Sequence, residues 1–140
     1  MVDVSEKPLL IREACASALV TSKADVLDAL LAGTLAKGDA LAVARIAAIQ
    51  VAKRTAEWIP LCHPLPLSWV GVEIARSAQD QLTIRVTART RAQTGVEMEA
   101  LAGAAAAALT IYDMAKSADK SIVIGPIKLE FKSKAPLQDS

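Results

Sequence analysis

The sequence is short of aromatic side chains, of net charge and of long apolar runs. Phe, Tyr and Trp make up 3% of its 140 residues, too few to suggest a platform on which nucleic acid bases stack. The formal net charge of +1 gives no general attraction to nucleic acid or to an anionic membrane surface. The longest apolar run, about a dozen residues, is too short to span a bilayer. We therefore expect no nucleic acid partner and no membrane partner.

Cysteine and histidine are also scarce. Cys15 and Cys62 form neither a CxxC pair nor a disulfide framework, which fits a reducing, cytoplasmic setting. His63 is the only histidine, and no metal-ligand spacing surrounds Cys62 and His63, so the sequence predicts no metal site. Residues 1–7 lack the basic and apolar regions of a signal peptide, which again favours the cytoplasm.

Alanine supplies much of the hydrophobic fraction, which is 53%. A chain of 140 residues is long enough for one domain with one core, here a tightly packed core of small side chains. The apolar excess also favours a homo-oligomer with buried subunit surfaces. We treat 1–140 as a single domain, with a loose N-terminal arm over residues 1–8 and a disordered tail over residues 134–140.

The longest predicted element is one continuous helix over residues 94–118. No proline interrupts it, and residues 102–108 are all alanine or glycine. Glu97 and Glu99 fall in its first turn, where carboxylates suit the positive end of the helix dipole. Because side chains as small as these let another backbone come close, we expect this helix to be covered on most sides.

The remaining elements complete an α+β pattern. Apolar alternation predicts strands at 10–21, 70–75, 82–90 and 122–132, the middle two joined by a turn at 79–81 and the last interrupted by Gly125-Pro126. Helical spacing predicts helices at 22–31 and 40–57, the first ended by Gly33 and the second capped by Asp39. This order is that of a ferredoxin-like fold, a four-stranded antiparallel sheet with helices packed on one face.

Charged side chains at the two ends of the long helix are too far apart for one small molecule. Glu99 and Asp113 are fourteen residues apart, roughly 21 Å at about 1.5 Å per residue. If both ends carry chemistry, either two chains share one site or there are two sites. The alternative is that the glutamates stabilise the helix dipole and that Asp113 forms a surface pair with Lys116.

Two loops carry candidate functional residues. His63 precedes Pro64, which favours an extended backbone, and its imidazole either serves a site or only anchors the loop. Lys37 lies just before the helix that Asp39 caps, where an ammonium and free backbone N–H groups suit a phosphate. An ordinary capped loop would use the same residues.

Four segments, taken in order, carry a family resemblance. They are residues 37–39 (KGD) with 44–47 (ARIA), 59–65 (IPLCHPL), 94–101 (TGVEMEAL), and 109–114 (LTIYDM) with Lys116. In residue identity, order and spacing they resemble the MoaC family of molybdenum cofactor biosynthesis. The similarity extends to residues 1–5 and 124–126 and so covers nearly the whole chain.

The resemblance implies a fold, an assembly and a reaction. The family is ferredoxin-like and forms a homohexamer, a trimer of dimers with its sites at the dimer interfaces. Its members are lyases that convert 3′,8-cyclo-7,8-dihydroguanosine 5′-triphosphate, made by a radical enzyme, into cyclic pyranopterin monophosphate and release pyrophosphate. No resident cofactor is implied, although Mg²⁺ could accompany the substrate triphosphate.

The resemblance also implies roles for individual residues. Asp113 matches the catalytic position, and Lys37 and Lys116 match lysines that act as general acid or base. The residues that match substrate-contacting or pocket positions are Leu61, Cys62, His63, Glu97, Met98, Glu99, Arg12 and Lys132.

Two other classes of function stay open at this stage. A small ferredoxin-like oligomer could be a non-catalytic regulator that binds a metabolite, because a fold does not determine a function. The alanine-rich helices could equally belong to a purely structural oligomer. Acid and base side chains that converge in one pocket of the assembled oligomer would favour the enzyme.

Overall fold

The computed structural model describes residues 1–138 and contains one antiparallel sheet with its helices on one face. The elements in chain order are β1 (Leu10–Thr21), α1 (Ala24–Ala32), α2 (Ala40–Lys53), α3 (Thr55–Trp58), β2 (Leu67–Ala78), β3 (Gln81–Ala92), α4 (Glu97–Ala115) and β4 (Val123–Ala135). The strand order is β2-β3-β1-β4, and all neighbouring strands are antiparallel. The predicted α+β, ferredoxin-like fold is confirmed.

The two central strands supply the sheet side of the core. Side chains alternate across a strand, so every second residue of β1 faces the helices. The register pairs Ala14 with Ala88, Ala16 with Val86, Ala18 with Ile84 and Val20 with Leu82, and all eight are fully buried. Ala16 and Ala18 of β1, opposite the larger Val86 and Ile84 of β3, leave room for α4 to lie close to the sheet.

Helix α4 is covered mainly by its own chain, between α2 and the sheet. At Gly103 a Cβ atom would lie 3.0 Å from Val86 Cγ1 and 3.2 Å from the Ala48 carbonyl oxygen. Glycine is therefore the residue that fits where α2, α4 and β3 meet. The predicted cover on most sides is confirmed, and α2 and the sheet provide it.

Helix ends follow the predicted capping residues in part. Gly33 ends α1 in the left-handed conformation, with φ of 71°, and the Asp39 side chain accepts a hydrogen bond from the Ala42 N–H at 3.1 Å. The predicted single helix over 40–57 is wrong, because the backbone at Arg54 leaves helical geometry and separates α2 from α3. The long helix begins at Glu97, a little later than residue 94.

Strand β1 has the predicted bounds, and the other three strands are longer than predicted. Strand β4 is continuous through Gly125-Pro126, because the register shift between Ala18 and Val20 absorbs these two residues as a bulge. It also includes Lys134 and Ala135, which pair with β1, so the predicted disordered tail is wrong at these positions. Residues 139 and 140 of that tail lie outside the described residues.

Apolar side chains remain exposed on the outer face of α2. Val43, Ile46 and Ile49 all point to solvent, with Ile46 58% exposed, and Leu109 of α4 is 54% exposed. They form an apolar surface that the chain itself leaves uncovered. Within residues 1–138, no helix is long and apolar enough to cross a membrane.

Candidate active site

A cluster of three charged side chains lies at the C-terminal end of α4. Asp113 Oδ1 accepts from Lys116 Nζ at 2.8 Å, one turn further along the same helix. Asp113 Oδ2 accepts from Lys37 Nζ at 2.8 Å, and the Asp113 carbonyl oxygen lies 3.2 Å from the same ammonium. The predicted surface pair of Asp113 with Lys116 is therefore present, but a lysine 76 residues away joins it.

The loop between α1 and α2 brings Lys37 to this cluster. Gly33 turns the chain out of α1, and Leu35 and Gly38 bridge each other across a tight turn in which Gly38 has φ of 101°. This positive φ requires a residue without a Cβ atom. The turn points Lys37 at α4, so its ammonium binds the Asp113 carboxylate in this structure.

The cluster stabilises the ionised form of each member whose pKa shifts. The hydrogen bond from Lys116, followed by that from Lys37, lowers the pKa of Asp113 to about 2. In return, Asp113 raises the pKa of Lys116. Near neutral pH the cluster therefore holds a carboxylate between two ammonium groups, and Lys116 is stabilised as an acid rather than as a free base.

A cleft of about 440 Å³ lies at the opposite end of α4, and we call it the His63 cleft. The chain turns at residues 59–62, where the Cys62 N–H donates to the Ile59 carbonyl oxygen at 3.1 Å, and the prolines at 64 and 66 restrict the backbone that follows. The residues that line the His63 cleft are Val2, Val4, Lys7, Ile59, Leu61, Cys62, His63, Leu65, Thr94, Gly95, Glu97 and Met98. Five of the eight predicted substrate-contacting residues are thus brought together here.

A second cleft borders the first, and Glu97 lines both. Arg12, Lys132 and Lys134 also line it, and we call it the cation cleft. Lys132 Nζ lies 3.0 Å from Glu97 Oε1. Burial raises the pKa of Glu97, but bonds from its own backbone N–H and from Lys132, with the charge of Arg12, leave that pKa below its ordinary value.

The guanidinium of Arg12 has hydrogen-bond partners for only some of its N–H donors within this cleft. Its Nη2 donates to the Gln93 carbonyl oxygen at 3.2 Å. Its Nε is buried, and nothing among residues 1–138 accepts from it. The cation cleft thus offers three positive side chains against two glutamates, Glu13 and Glu97, and Glu13 is paired with Arg89. With the positive end of the α4 dipole beside it, this lining suits a polyanion.

Glu99 is another carboxylate at this end and lies in a different environment. It is 2% exposed, and its Oε1 lies 3.9 Å from Cys62 Sγ. No hydrogen-bond partner for its Oε2 exists within the described part of the chain. Burial raises the pKa of Glu99, and burial together with the nearby Glu99 carboxylate raises the pKa of the Cys62 thiol.

Comparison with known proteins identifies the family. The model of the MoaC family matches residues 1–135. A Herpetosiphon aurantiacus protein named cyclic pyranopterin monophosphate synthase is 55% identical over 134 residues, 95% of this chain and 82% of that protein. The chain belongs to the MoaC family. A Nostoc protein with the same name is 52% identical over 134 residues, covering 95% of this chain and 80% of that protein.

A further relative has the same name followed by a number. The Mycobacterium tuberculosis protein named cyclic pyranopterin monophosphate synthase 3 is 50% identical over 133 residues, 95% of this chain and 75% of that protein. The match therefore includes both ends of α4 and the loops that carry Lys37 and His63.

The residues implied by the MoaC resemblance fall into two groups on one chain. Lys37, Asp113 and Lys116 lie together at the C-terminal end of α4, and the other eight lie around its N-terminal end. Since α4 spans Glu97–Ala115, the fold keeps the two groups roughly 20 Å apart. A single copy of this MoaC chain does not bring them to one small molecule.

The structure adds residues that the sequence analysis missed. Lys134 follows Lys132 by two residues on β4 and therefore shares its face of the sheet, a signal that strand periodicity could have revealed. Lys7 and Val2 reach the His63 cleft from the N-terminal arm, and Val2 acts through its backbone carbonyl. No side-chain pattern could have indicated a backbone group.

Metal-binding chemistry has no obvious location here. Across residues 1–138, no group of three or more His, Cys, Asp or Glu side chains is placed to hold a metal ion. Near the His63 cleft, Glu97 is paired with Lys132, and the partly buried thiol of Cys62 lies beside the carboxylate of Glu99.

Proposed function

We propose that this chain is a lyase that forms cyclic pyranopterin monophosphate and pyrophosphate from 3′,8-cyclo-7,8-dihydroguanosine 5′-triphosphate. We further propose that each site combines the two ends of α4 from different chains. The names of the relatives at 50–55% identity support the reaction. The observation that carries the shared site is the separation of two groups of charged residues by the length of one rigid helix.

The cation cleft suits the phosphate part of this reaction. A substrate hydroxyl attacks the α-phosphorus atom, a new P–O bond forms, and the bond between the α-phosphorus and its bridging oxygen breaks to release pyrophosphate. Charge develops on the leaving oxygen, and fixed cations stabilise it. Arg12, Lys132 and Lys134 are placed to do so, and the buried, unpartnered Nε of Arg12 is available to an anion.

The Lys37–Asp113–Lys116 cluster suits the proton transfers. Rearranging the rings of a purine requires protons to move on and off nitrogen and oxygen. Asp113 favours the ammonium form of Lys116, so this lysine carries the proton that a general acid would donate to a leaving nitrogen or oxygen. Once it has donated its proton, the same lysine can accept one in a later step.

The proposed assembly is a homohexamer built as a trimer of dimers, with sites at the dimer interfaces. Two features support a partner chain: the exposed apolar face of α2, and the unpartnered Oε2 of Glu99. A buried polar atom without a partner costs about 1–3 kcal/mol, so another chain or the substrate is expected to satisfy it.

We propose a cytoplasmic enzyme without a resident cofactor, to which Mg²⁺ could come with the triphosphate.

The direct test supplies the purified protein with the cyclised nucleotide. We expect pterin and pyrophosphate in equal amounts, and an Asp113→Ala preparation made in parallel controls for contaminating enzyme. A non-catalytic regulator is the competing function. Tight binding of the cyclised nucleotide with no product over many hours would contradict the proposal and favour that regulator.

A further inference from the structure

The N-terminal arm, residues 1–8, packs against the His63 cleft. Val2, Val4 and Lys7 form part of its lining beside the residues of the 59–65 loop. The sequence analysis expected a loose arm, but this one makes specific contacts. Its most direct contact is a hydrogen bond between His63 Nε2 and the Val2 carbonyl oxygen, at 2.8 Å.

This hydrogen bond determines which ring nitrogen of His63 carries the proton. A carbonyl oxygen can only accept, so Nε2 must be the donor. In the neutral ring, the other nitrogen then has no proton and keeps a free lone pair. His63 Nδ1 is therefore the atom of this ring that can accept a proton or a hydrogen bond from a substrate.

The arm is held in place by further hydrogen bonds. Asp3 Oδ1 accepts from the Ser5 backbone N–H at 2.9 Å and from the Ser5 hydroxyl at 2.6 Å, which closes a turn next to Val2. Gln93 Nε2 donates to the Ser5 carbonyl oxygen at 3.4 Å, and the Gln93 carbonyl accepts from Arg12. The arm is thus connected to His63 on one side and, through Gln93, to the cation cleft on the other.

We propose that the N-terminal arm is a positioning element of the site: the Val2 carbonyl holds His63 as the Nε2–H tautomer and leaves Nδ1 as its proton acceptor. The catalytic consequence rests on the function proposed above, whereas the tautomer does not. A base whose ring is held at a fixed angle can reach its proton without reorientation, and misplacement by about 1 Å can cost up to a hundredfold in rate.

The first test needs no substrate, because His63 is the only histidine and gives an unambiguous NMR signal. With ¹⁵N-labelled histidine at about pH 8.5, where an imidazole is neutral, we expect a proton on Nε2 that exchanges slowly with water and an unprotonated Nδ1. Deleting residues 2–6 should abolish the slow exchange. A proton on Nδ1, or an equally slow exchange after the deletion, would overturn the proposal.

Three variants separate positioning from folding and from activity. Glu6→Ala, at an exposed position of the arm that lines neither cleft, should preserve both the slow exchange and kcat/KM. Asp3→Ala removes both bonds of the turn while every other residue stays in place, and should speed the exchange. The deletion should lower kcat/KM about tenfold or more with an unchanged thermal unfolding curve. Full activity in the deletion variant would overturn the positioning role even if the NMR result held.

Discussion

Asp113 shows at the scale of one residue how the surroundings set its chemistry. Its two carboxylate oxygens accept from two different lysines, each at 2.8 Å. Because all three side chains are about half exposed, pairs of this kind contribute little to stability. Their main effect is on protonation, since they favour the ionised form of Asp113 and the ammonium form of Lys116. We therefore expect the cluster to matter more for turnover than for folding.

Replacing either lysine of the cluster tests its role in proton transfer. Lys37→Ala and Lys116→Ala should each lower turnover by roughly a hundredfold or more, because a general acid or base contributes about that factor. Thermal unfolding should remain close to that of the parent chain. Lys120→Ala, at an exposed position four residues after Lys116, is the matched control and should be fully active. Normal pterin formation in a cluster variant would remove that lysine from the mechanism.

The titration of Asp113 tests the geometry of the cluster without a substrate. Its pKa falls from an ordinary 3.8 to about 2 on folding, so the ionised form is favoured in the folded chain. The resulting stability is complete above about pH 4 and is lost as the pH falls through 2. Carbon-detected NMR of the side-chain carboxyl should show this midpoint.

The lysine variants supply the comparison for this titration. The pKa of Asp113 should rise in Lys116→Ala, whose hydrogen bond is the largest cause of the shift, and less in Lys37→Ala. A midpoint near 4 in the parent chain would show that the two ion pairs do not form in solution.

At the scale of secondary-structure elements, local sequence patterns predicted whether a segment is a helix or a strand better than they predicted where it begins and ends. The alternation of apolar and polar residues predicted the hairpin of β2 and β3, and the alanine content predicted α4. The break at Arg54 was missed because neither proline nor glycine marks it. The sequence pattern predicts an interruption at Gly125-Pro126, where the structure has a bulge, since only pairing with β1 shows that the strand continues.

The candidate site was predictable where side chains carry the signal. The MoaC resemblance implies site roles for loop residues 61–63 and for the glutamates near the start of α4, and the structure places them around one end of the helix. The burial of Glu99 and the bond from His63 to Val2 were not predictable. Both depend on tertiary packing between segments far apart in the chain.

The crossing of α2, α4 and β3 tests the packing that separates the two groups. Gly103→Val should lower the free energy of unfolding by about 1–3 kcal/mol, because the new side chain would overlap Val86 and the rigid carbonyl of Ala48. Denaturant unfolding measures this loss. Ala105→Val, at a half-buried position of the same helix, controls for helix propensity and should cost less than about 1 kcal/mol. Equal losses in both variants would contradict the close packing at Gly103.

At the scale of the whole molecule, the outer face of α2 is the surface most in need of a partner. Val43, Ile46 and Ile49 expose apolar area on one helix of a chain with a net charge of +1. Light scattering should therefore find an oligomer at micromolar concentration, and Ile46→Glu should shift it towards smaller species. Asp25→Ala, on the separate helix α1, serves as a surface control. A stable monomeric parent chain would remove the basis for a shared site.

The central claim is that one chain supplies Glu99 and another supplies Asp113 to the same site. Glu99→Ala and Asp113→Ala should each be nearly inactive alone, because each uniform oligomer lacks one component at every site. When the two variants exchange subunits, a mixed pair has one site with both defects and one site with neither.

Measuring the activity of that mixture tests the claim most directly. With random pairing, half of the pairs are mixed and half of their sites are intact, so about a quarter of parental activity should return. Exchange is verified independently, with one variant carrying a mass tag, at a temperature where both variants are folded. Recovery to about a quarter is the predicted result. No recovery despite complete exchange would contradict the account, because both residues would then act within one chain at places roughly 21 Å apart.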